Sequence, residues 1–441
     1  MKLLVIPFLL VAVGCGAPDS PGVQIPDPEP DPTQYRPDCD PLMGTALTCA
    51  LPWPSSQFLV EDPARKTGYT LSFGATTLPA TLAGAHIKPE PYRKLDGYGV
   101  GTPIITLFPN IDISSLATED HIERSLAADA AVLLFEDSGG TLRRLPYFVE
   151  LDAAAFDPGQ QALYVRPGVL LKEATRYVVA FRNLRTVDGQ PIAPSRPFVR
   201  LREGKTADVP QLQRRQERFN KVFATLEAQG VPRSGLTLAW DFVTASHEAL
   251  HGDLLHMRDD ALQRVGAQGP PLTVTKVTEF VPKSDGSGRP VDENIAVELE
   301  GTFAAPNYLA DWTVGNFTGS QLGRDGKGQV QASGTRSARF WVRIPYSAVD
   351  GKSTPHGLVL YGHGLLGSGD QVGGGFNSQL ANRNNLIFFA ADLTGMAEDD
   401  GPMVPSLVAD LSRFPSLADR LHQGLVEWLV LCRAMRGRLD S

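Results

Sequence analysis

The sequence predicts a mixed fold: a β-rich amino-terminal region, a helical connection, and a carboxyl-terminal region built on part of a parallel sheet. Three observations carry this. From Asp38 to about Lys205, short runs of β-forming residues are broken by turn residues. Stretches 211–229 and 247–265 then repeat apolar residues at helical spacing, with an apolar run at 236–243 between them. Further on, 358–361 is a short apolar run of the kind a buried parallel strand uses, and it empties into the glycine-rich turn Gly362-His363-Gly364-Leu365-Leu366-Gly367.

The chain begins with a targeting segment. Met1-Lys2 supplies a positive start, 3–13 an apolar run too short to span a bilayer as a helix, and Gly14-Cys15 a small-residue junction. Ala12-Val13-Gly14-Cys15 resembles a bacterial lipobox, which implies that residues 1–15 are a lipoprotein signal peptide and that a lipid on Cys15 anchors the chain to the membrane. The expected location is the bacterial cell envelope, at the outer membrane or cell surface; an ordinary cleaved signal peptide would instead give a secreted protein. Residues 16–37 are dense in Pro and Asp and read as an extended linker. The 441 residues suffice for two or three domains. A formal net charge of −8 with no basic stripe argues against a nucleic-acid partner.

Export permits disulfides, and Cys39 and Cys49 flank a short polar loop where a bridge is expected, the alternative being two unpaired thiols. In the β-rich domain at 38–205 the clearest strands are 131–135, 162–165 and 177–181, with Asp188-Gly189 as a turn. The stretch 163–192, containing "YVVAFRNLRTVDGQPI", resembles the closing strands of bacterial Ig-like domains. The connection at 206–265 holds the two helices and a strand at 236–243. In 266–441, strands are expected at 273–280, 295–303 and 338–344, with an exposed hairpin or loop at 315–334. A helix at 376–385, a strand at 386–391 ending on Asp392 and a long amphipathic helix at 416–436 follow. In that last helix Leu421, Leu425, Trp428, Leu429 and Cys432 form the face meant for the sheet. Cys432 there reads as core filler.

The segments "YGHGLLGSG" (361–369), "AADLTGMAEDD" (390–400) and "DRLHQG" (419–424) resemble those of exported bacterial lipases and esterases. In these a β-rich region precedes an α/β-hydrolase domain. The resemblance implies that His363-Gly364-Leu365 is the oxyanion turn after the third strand, with the Leu365 N–H aimed at the developing charge and His363 holding the turn. It also implies hydrolysis of lipid or small carboxylic esters by a Ser-His-Asp triad, with no cofactor. The sequence departs from that pattern. No serine lies in Gly-x-Ser-x-Gly: Ser72, Ser138 and Ser284 have only the trailing glycines Gly74, Gly140 and Gly286. The expectation is an incomplete α/β-hydrolase domain at 266–441 that stops before the nucleophile elbow, inactive as this chain. The alternative is a non-catalytic surface lipoprotein that binds or displays something at the envelope.

Three other motifs compete. His247-Glu248-Ala249-Leu250-His251 is a literal HExxH, in which two histidines on one helical face bind zinc and the glutamate polarises a bound water, as in metalloproteases. Against it, Ser246 is a natural N-cap that puts His247 in the first turn, Asp253 stands where a hydrophobic residue is usual, and the available third ligand, Glu279, lies on an apparent strand. The two histidines also flank the apolar stripe Leu250, Leu254, Met257, Ala261 and Val265, a position that needs no metal. Gly362-x-Gly364-x-x-Gly367 with Asp392 matches a dinucleotide fingerprint, but Gly373-Gly374-Gly375 opposes an immediate helix, each glycine costing about 1 kcal/mol in a helix interior. The run Glu398-Asp399-Asp400 reads as a solvated loop rather than a calcium site.

Overall fold

The computed structural model describes residues 36–43, 49–81, 84–310, 321–351, 355 and 357–438. The expected signal peptide with Cys15, all of the expected linker except Arg36 and Pro37, and residues 315–320 of the expected hairpin or loop lie outside the described residues.

In the amino-terminal part, β1 (Leu59–Glu61) and β2 (Tyr69–Leu71) form a small antiparallel pair. Next come β3 (Ile104–Leu107), β4 (Val132–Ser138), β5 (Thr141–Arg144), β6 (Tyr147–Leu151), β7 (Ala162–Pro167) and β8 (Arg176–Arg182). They divide between two antiparallel sheets, one ordered β3-β7-β6 and the other β5-β4-β8. After the Gly189 turn, α1 (Arg196–Glu203) starts on Ser195, whose hydroxyl accepts the Phe198 N–H, and stops at Gly204 in the left-handed region that ends helices. Helix α2 (Pro210–Glu227) leads to β9 (Leu236–Val243), the fourth strand of the second sheet. All eight residues of β9 are buried, which is why they form a continuous apolar run broken mainly by Asp241.

The connection at 206–265 is divided between two cores. Phe219, Phe223 and Leu226 of α2 and Trp240 of β9 join Val132, Val178 and Phe181 in the amino-terminal core. Helix α3 (His247–Val265) places Met257 and Ala261 in the other one. Near the start of the described chain Cys39 and Cys49 form a disulfide. Between them Asp40 is fully buried and accepts from the Leu42 N–H at 3.0 Å, the Ser55 hydroxyl at 2.6 Å and the Arg215 guanidinium of α2 at 2.6 Å.

The carboxyl-terminal part contains β10 (Leu272–Glu279), β11 (Ile295–Pro306), β12 (Thr335–Pro345), the short α4 (Tyr346–Val349), β13 (Gly357–Leu360), α5 (Gly375–Asn384), β14 (Leu386–Ala391), α6 (Val404–Ala409) and α7 (Phe414–Arg438). The strands form one sheet in the order β10-β11-β12-β14-β13. This corrects the expectation of a parallel sheet, because only β13 and β14 are parallel and the other pairings are antiparallel. The reason lies in the connections. A helix, α5, carries the chain across the sheet between β13 and β14, whereas among the described residues no helix stands between β10, β11 and β12. Side chains alternate across the sheet: Phe340, Val342 and Phe389 meet α3 and α7, while Trp341, Phe388 and Ala390 share the opposite core with Ala381 of α5.

Candidate functional site

The turn after β13 is pinned on both sides. The Tyr361 N–H donates to Phe389 O at 2.8 Å, extending the parallel ladder by one residue. A Cβ at Gly362 would stand 3.0 Å from the Trp428 ring of α7, so glycine lets the turn lie on that ring. His363 is 8% exposed. Its Nε2 accepts the Leu393 N–H at 2.8 Å, so the proton sits on Nδ1, which donates to Gly364 O at 2.7 Å. Leu366 N–H donates to Met396 O and Glu398 N–H to Gly367 O, each at 2.7 Å. Gly369 N–H donates to Asp392 Oδ1 at 2.9 Å. These contacts hold Leu366 at φ 54°, a left-handed conformation that costs a non-glycine residue about 1 kcal/mol.

Three backbone N–H groups of the turn, those of Gly362, His363 and Leu365, have no acceptor among the described residues, and His363 is buried whereas Leu365 is exposed. Gly364 N–H is engaged by Gln371 Oε1 at 3.0 Å. The Leu365 N–H has no acceptor among the described residues, and Leu365 is 74% exposed, at the carboxyl end of a parallel strand. No α-helix opens at Gly367, as a dinucleotide site would need; a single 3-10 turn at Gly369–Gly373 intervenes and α5 begins only at Gly375. His363→Ala leaves the Leu393 N–H without its acceptor, and the expected loss is about 1–3 kcal/mol of stability. In the intact protein, nitrogen NMR of the His363 ring should show the Nδ1–H tautomer; an Nε2–H tautomer would contradict this hydrogen-bond assignment.

Beneath the turn, segments 390–400 and 419–424 prove to be two sides of one contact. Asp400 and Arg420 are 2% and 1% exposed at the side chain and form a buried ion pair, with Nε to Oδ1 at 2.8 Å. The other carboxylate oxygen accepts the N–H groups of Gly395 at 2.6 Å and Ala397 at 3.0 Å. Asp400 is therefore no part of a solvated acidic loop. Glu427 accepts from the Thr394 hydroxyl at 2.7 Å and from Gln423 Nε2 at 2.9 Å, and lies 3.2 Å from Arg336. Burial pushes its carboxyl above the ordinary range, against the pull of the Arg336 guanidinium. A Cβ at Gly424 would lie 2.5 Å from Thr394 O, so this helical glycine permits the close approach.

That network also turns α7. Besides Ser416, Asp419 and Arg420 in its first two turns, the helix buries Gln423, Val426, Glu427, Val430, Leu431, Ala434 and Met435, whereas Leu425 and Leu429 are 38% and 39% exposed. Hydropathy picks the neighbouring face because buried Gln423 and Glu427 count as polar, although each is hydrogen-bonded inside. Trp428 reaches the sheet through its indole N–H, which donates to Ala391 O at 3.1 Å. Cys432 is half-buried, and burial pushes its thiol up.

With this geometry in view, comparison supplies no precedent. No family model, curated protein or solved structure matches the chain.

The HExxH residues are brought together in part. His247 and His251 are neighbours, with ring centroids 5.0 Å apart. The carboxylate beside them is not Glu279, which pairs with Arg289, but Glu173, which lies just before β8. Glu248 lines a cleft of about 730 Å³ with Lys94, Gly252, His256 and Arg324, and neither His247, His251 nor Glu173 lines it. The protease reading therefore loses the glutamate it requires beside the metal. Nothing in the local sequence points to Glu173, which is 74 residues from His247.

Proposed function

We propose that this chain carries the oxyanion-side part of a carboxylic-ester hydrolase of the exported lipase and esterase lineage, held at the envelope through Cys15. The amino-terminal sheets are, on this reading, an Ig-like module, and 266–441 belongs to an α/β-hydrolase domain of a lineage that acts on lipid or small esters. The observation that carries the proposal is the Leu365 N–H. It is unengaged, stands on the loop between a parallel strand and the following helix, and belongs to a turn immobilised by hydrogen bonds on both sides. Donors on that loop serve the oxyanion in α/β-hydrolases, and they work by being in place before charge develops. After the turn come α5, β14, the short α6 and α7; with α6 read as part of the loop before α7, this is the helix-strand-helix order in which that family reaches its nucleophile strand.

A donor alone supplies no attacking group. Among the described residues no serine hydroxyl is hydrogen-bonded to an imidazole, and the sequence contains no Gly-x-Ser-x-Gly. The 441-residue polypeptide should therefore hydrolyse p-nitrophenyl esters at the background rate and take up no serine-reactive phosphonate. Turnover abolished by the phosphonate would overturn the expectation of inactivity. In a version extended by a nucleophile strand with its elbow, activity should appear, and Leu365→Pro, which removes the N–H, should cut kcat by about 10²–10³-fold. An extended chain that is active and indifferent to that substitution would refute the role of Leu365.

A further inference from the structure

We infer that Glu173, His247 and His251 form a binding site for one first-row divalent cation, with zinc as the natural occupant, and that the ion braces the amino-terminal unit against the carboxyl-terminal one. The inference is independent of the esterase reading.

Positions 247 and 251 are one helical turn apart, so both imidazoles leave α3 on the same side. The first turn that carries them is anchored rather than frayed. Ser246 Oγ accepts the Ala249 N–H at 3.2 Å, and the Ser246 N–H donates to Asp96 Oδ1 at 2.8 Å. Glu173 is tied to the same place from the other side, since the Ala174 N–H donates to Ala245 O at 3.0 Å. Two ligands on a capped helix and one on a hydrogen-bonded turn are thus held in register before any ion arrives.

The spacing fits a metal. Glu173 Oε1 lies 3.1 Å from His247 Nδ1 and 3.3 Å from His251 Nε2. One ligand atom from each of the three residues falls within 4.8 Å of the others. Bonds of about 2.0–2.1 Å to a tetrahedral ion place ligand atoms roughly 3.3–3.4 Å apart. Two of the three edges are close to that length, and the third, between the imidazole nitrogens, lies within 4.8 Å and closes on the ion by rotation of the exposed rings.

The donor set selects the ion. Two imidazole nitrogens and one carboxylate suit zinc, nickel or copper, whereas calcium and magnesium ask for six or more oxygens. The side chains of His247, His251 and Glu173 are 62%, 47% and 35% exposed, which gives the ion a path in and leaves a fourth position for water. With Glu248 in a separate cleft, the arrangement is a brace and not a peptidase centre. Its three ligands join the turn before β8, whose residues pack in the amino-terminal core, to the helix whose Met257 packs in the other.

The test is zinc titration of tag-free, metal-stripped protein by calorimetry, with cobalt as a spectroscopic probe. The intact chain should bind one zinc per molecule at this cluster. His251→Ala and Glu173→Gln should each weaken that binding by about tenfold or more, and His247→Ala/His251→Ala should abolish it. Cobalt should give visible absorption bands of a four-coordinate ion that the double variant lacks. Zinc should raise the melting midpoint of the intact chain and leave the double variant unmoved. Because these side chains are largely solvent-exposed, the variants should fold; circular dichroism checks this, and broadening of the His247 and His251 ring signals by nickel in the unsubstituted protein gives a readout needing no variant. Equal zinc binding by intact and double-variant protein, or no broadening, overturns the site and leaves a carboxylate hydrogen-bonded to two imidazoles.

Discussion

Asp400→Ala should remove about 3–5 kcal/mol of stability from the carboxyl-terminal unit, because it breaks a buried ion pair by deleting the carboxylate that the Arg420 guanidinium contacts. The same carboxylate accepts the N–H groups of Gly395 and Ala397, so the loss extends to backbone donors inside the protein. Between those two residues lies Met396, whose carbonyl holds Leu366 in its left-handed conformation. The effect should therefore travel to the turn above. Urea denaturation measures the stability change, and amide NMR shifts at Leu365 and Leu393 report the turn. A loss below about 1 kcal/mol, with those amides unmoved, would show that the pair contributes little and that the turn stands without it.

Asp241→Ala in β9 should be comparably costly in the amino-terminal unit, at about 3–5 kcal/mol. Asp241 is 1% exposed and sits between Arg176, with Nε to Oδ2 at 2.7 Å, and Arg218, with Nε to Oδ1 at 2.9 Å. Burial alone would raise its carboxyl pKa; the Arg218 and Arg176 guanidiniums outweigh burial and hold it below the ordinary value. A carboxyl whose pKa is lower folded than unfolded contributes stability above its unfolded value, about 3.9, and that contribution drains away as pH falls through the folded value. Asp241→Asn should accordingly be less stable than the unsubstituted protein at pH 7, and the gap should narrow steadily below about pH 4. Denaturation at a series of pH values checks both parts. A gap that stays constant into acid would mean that the charge on Asp241 is not what stabilises this site.

Much of the secondary structure was legible because its determinants are local. Helix α3 runs over 247–265 as the sequence predicts, since Ser246 caps it and apolar residues recur at helical spacing. Strands β9 and β14 likewise occupy 236–243 and 386–391, each a compact apolar run. The turn at 362–367 could be singled out from its glycines and His363, though not the bonds that pin it. Strand direction, by contrast, depends on what crosses the sheet, and the face of α7 depends on whether Gln423 and Glu427 find partners inside. The role of Asp400 was hidden for the same reason: an acidic run is solvated by default, and only Arg420, 20 residues on, makes its burial affordable.

Caps, spacing and turn residues act over a few neighbours, so the sequence by itself determined the elements, the disulfide candidates and the position of the glycine-rich turn. Only the tertiary structure decided that β13 and β14 are the parallel pair, that the Leu365 N–H is left open, and that Glu173 meets His247 and His251. Each of these depends on groups far apart in the chain reaching hydrogen-bonding distance, which packing of the two cores brings about and no local pattern encodes.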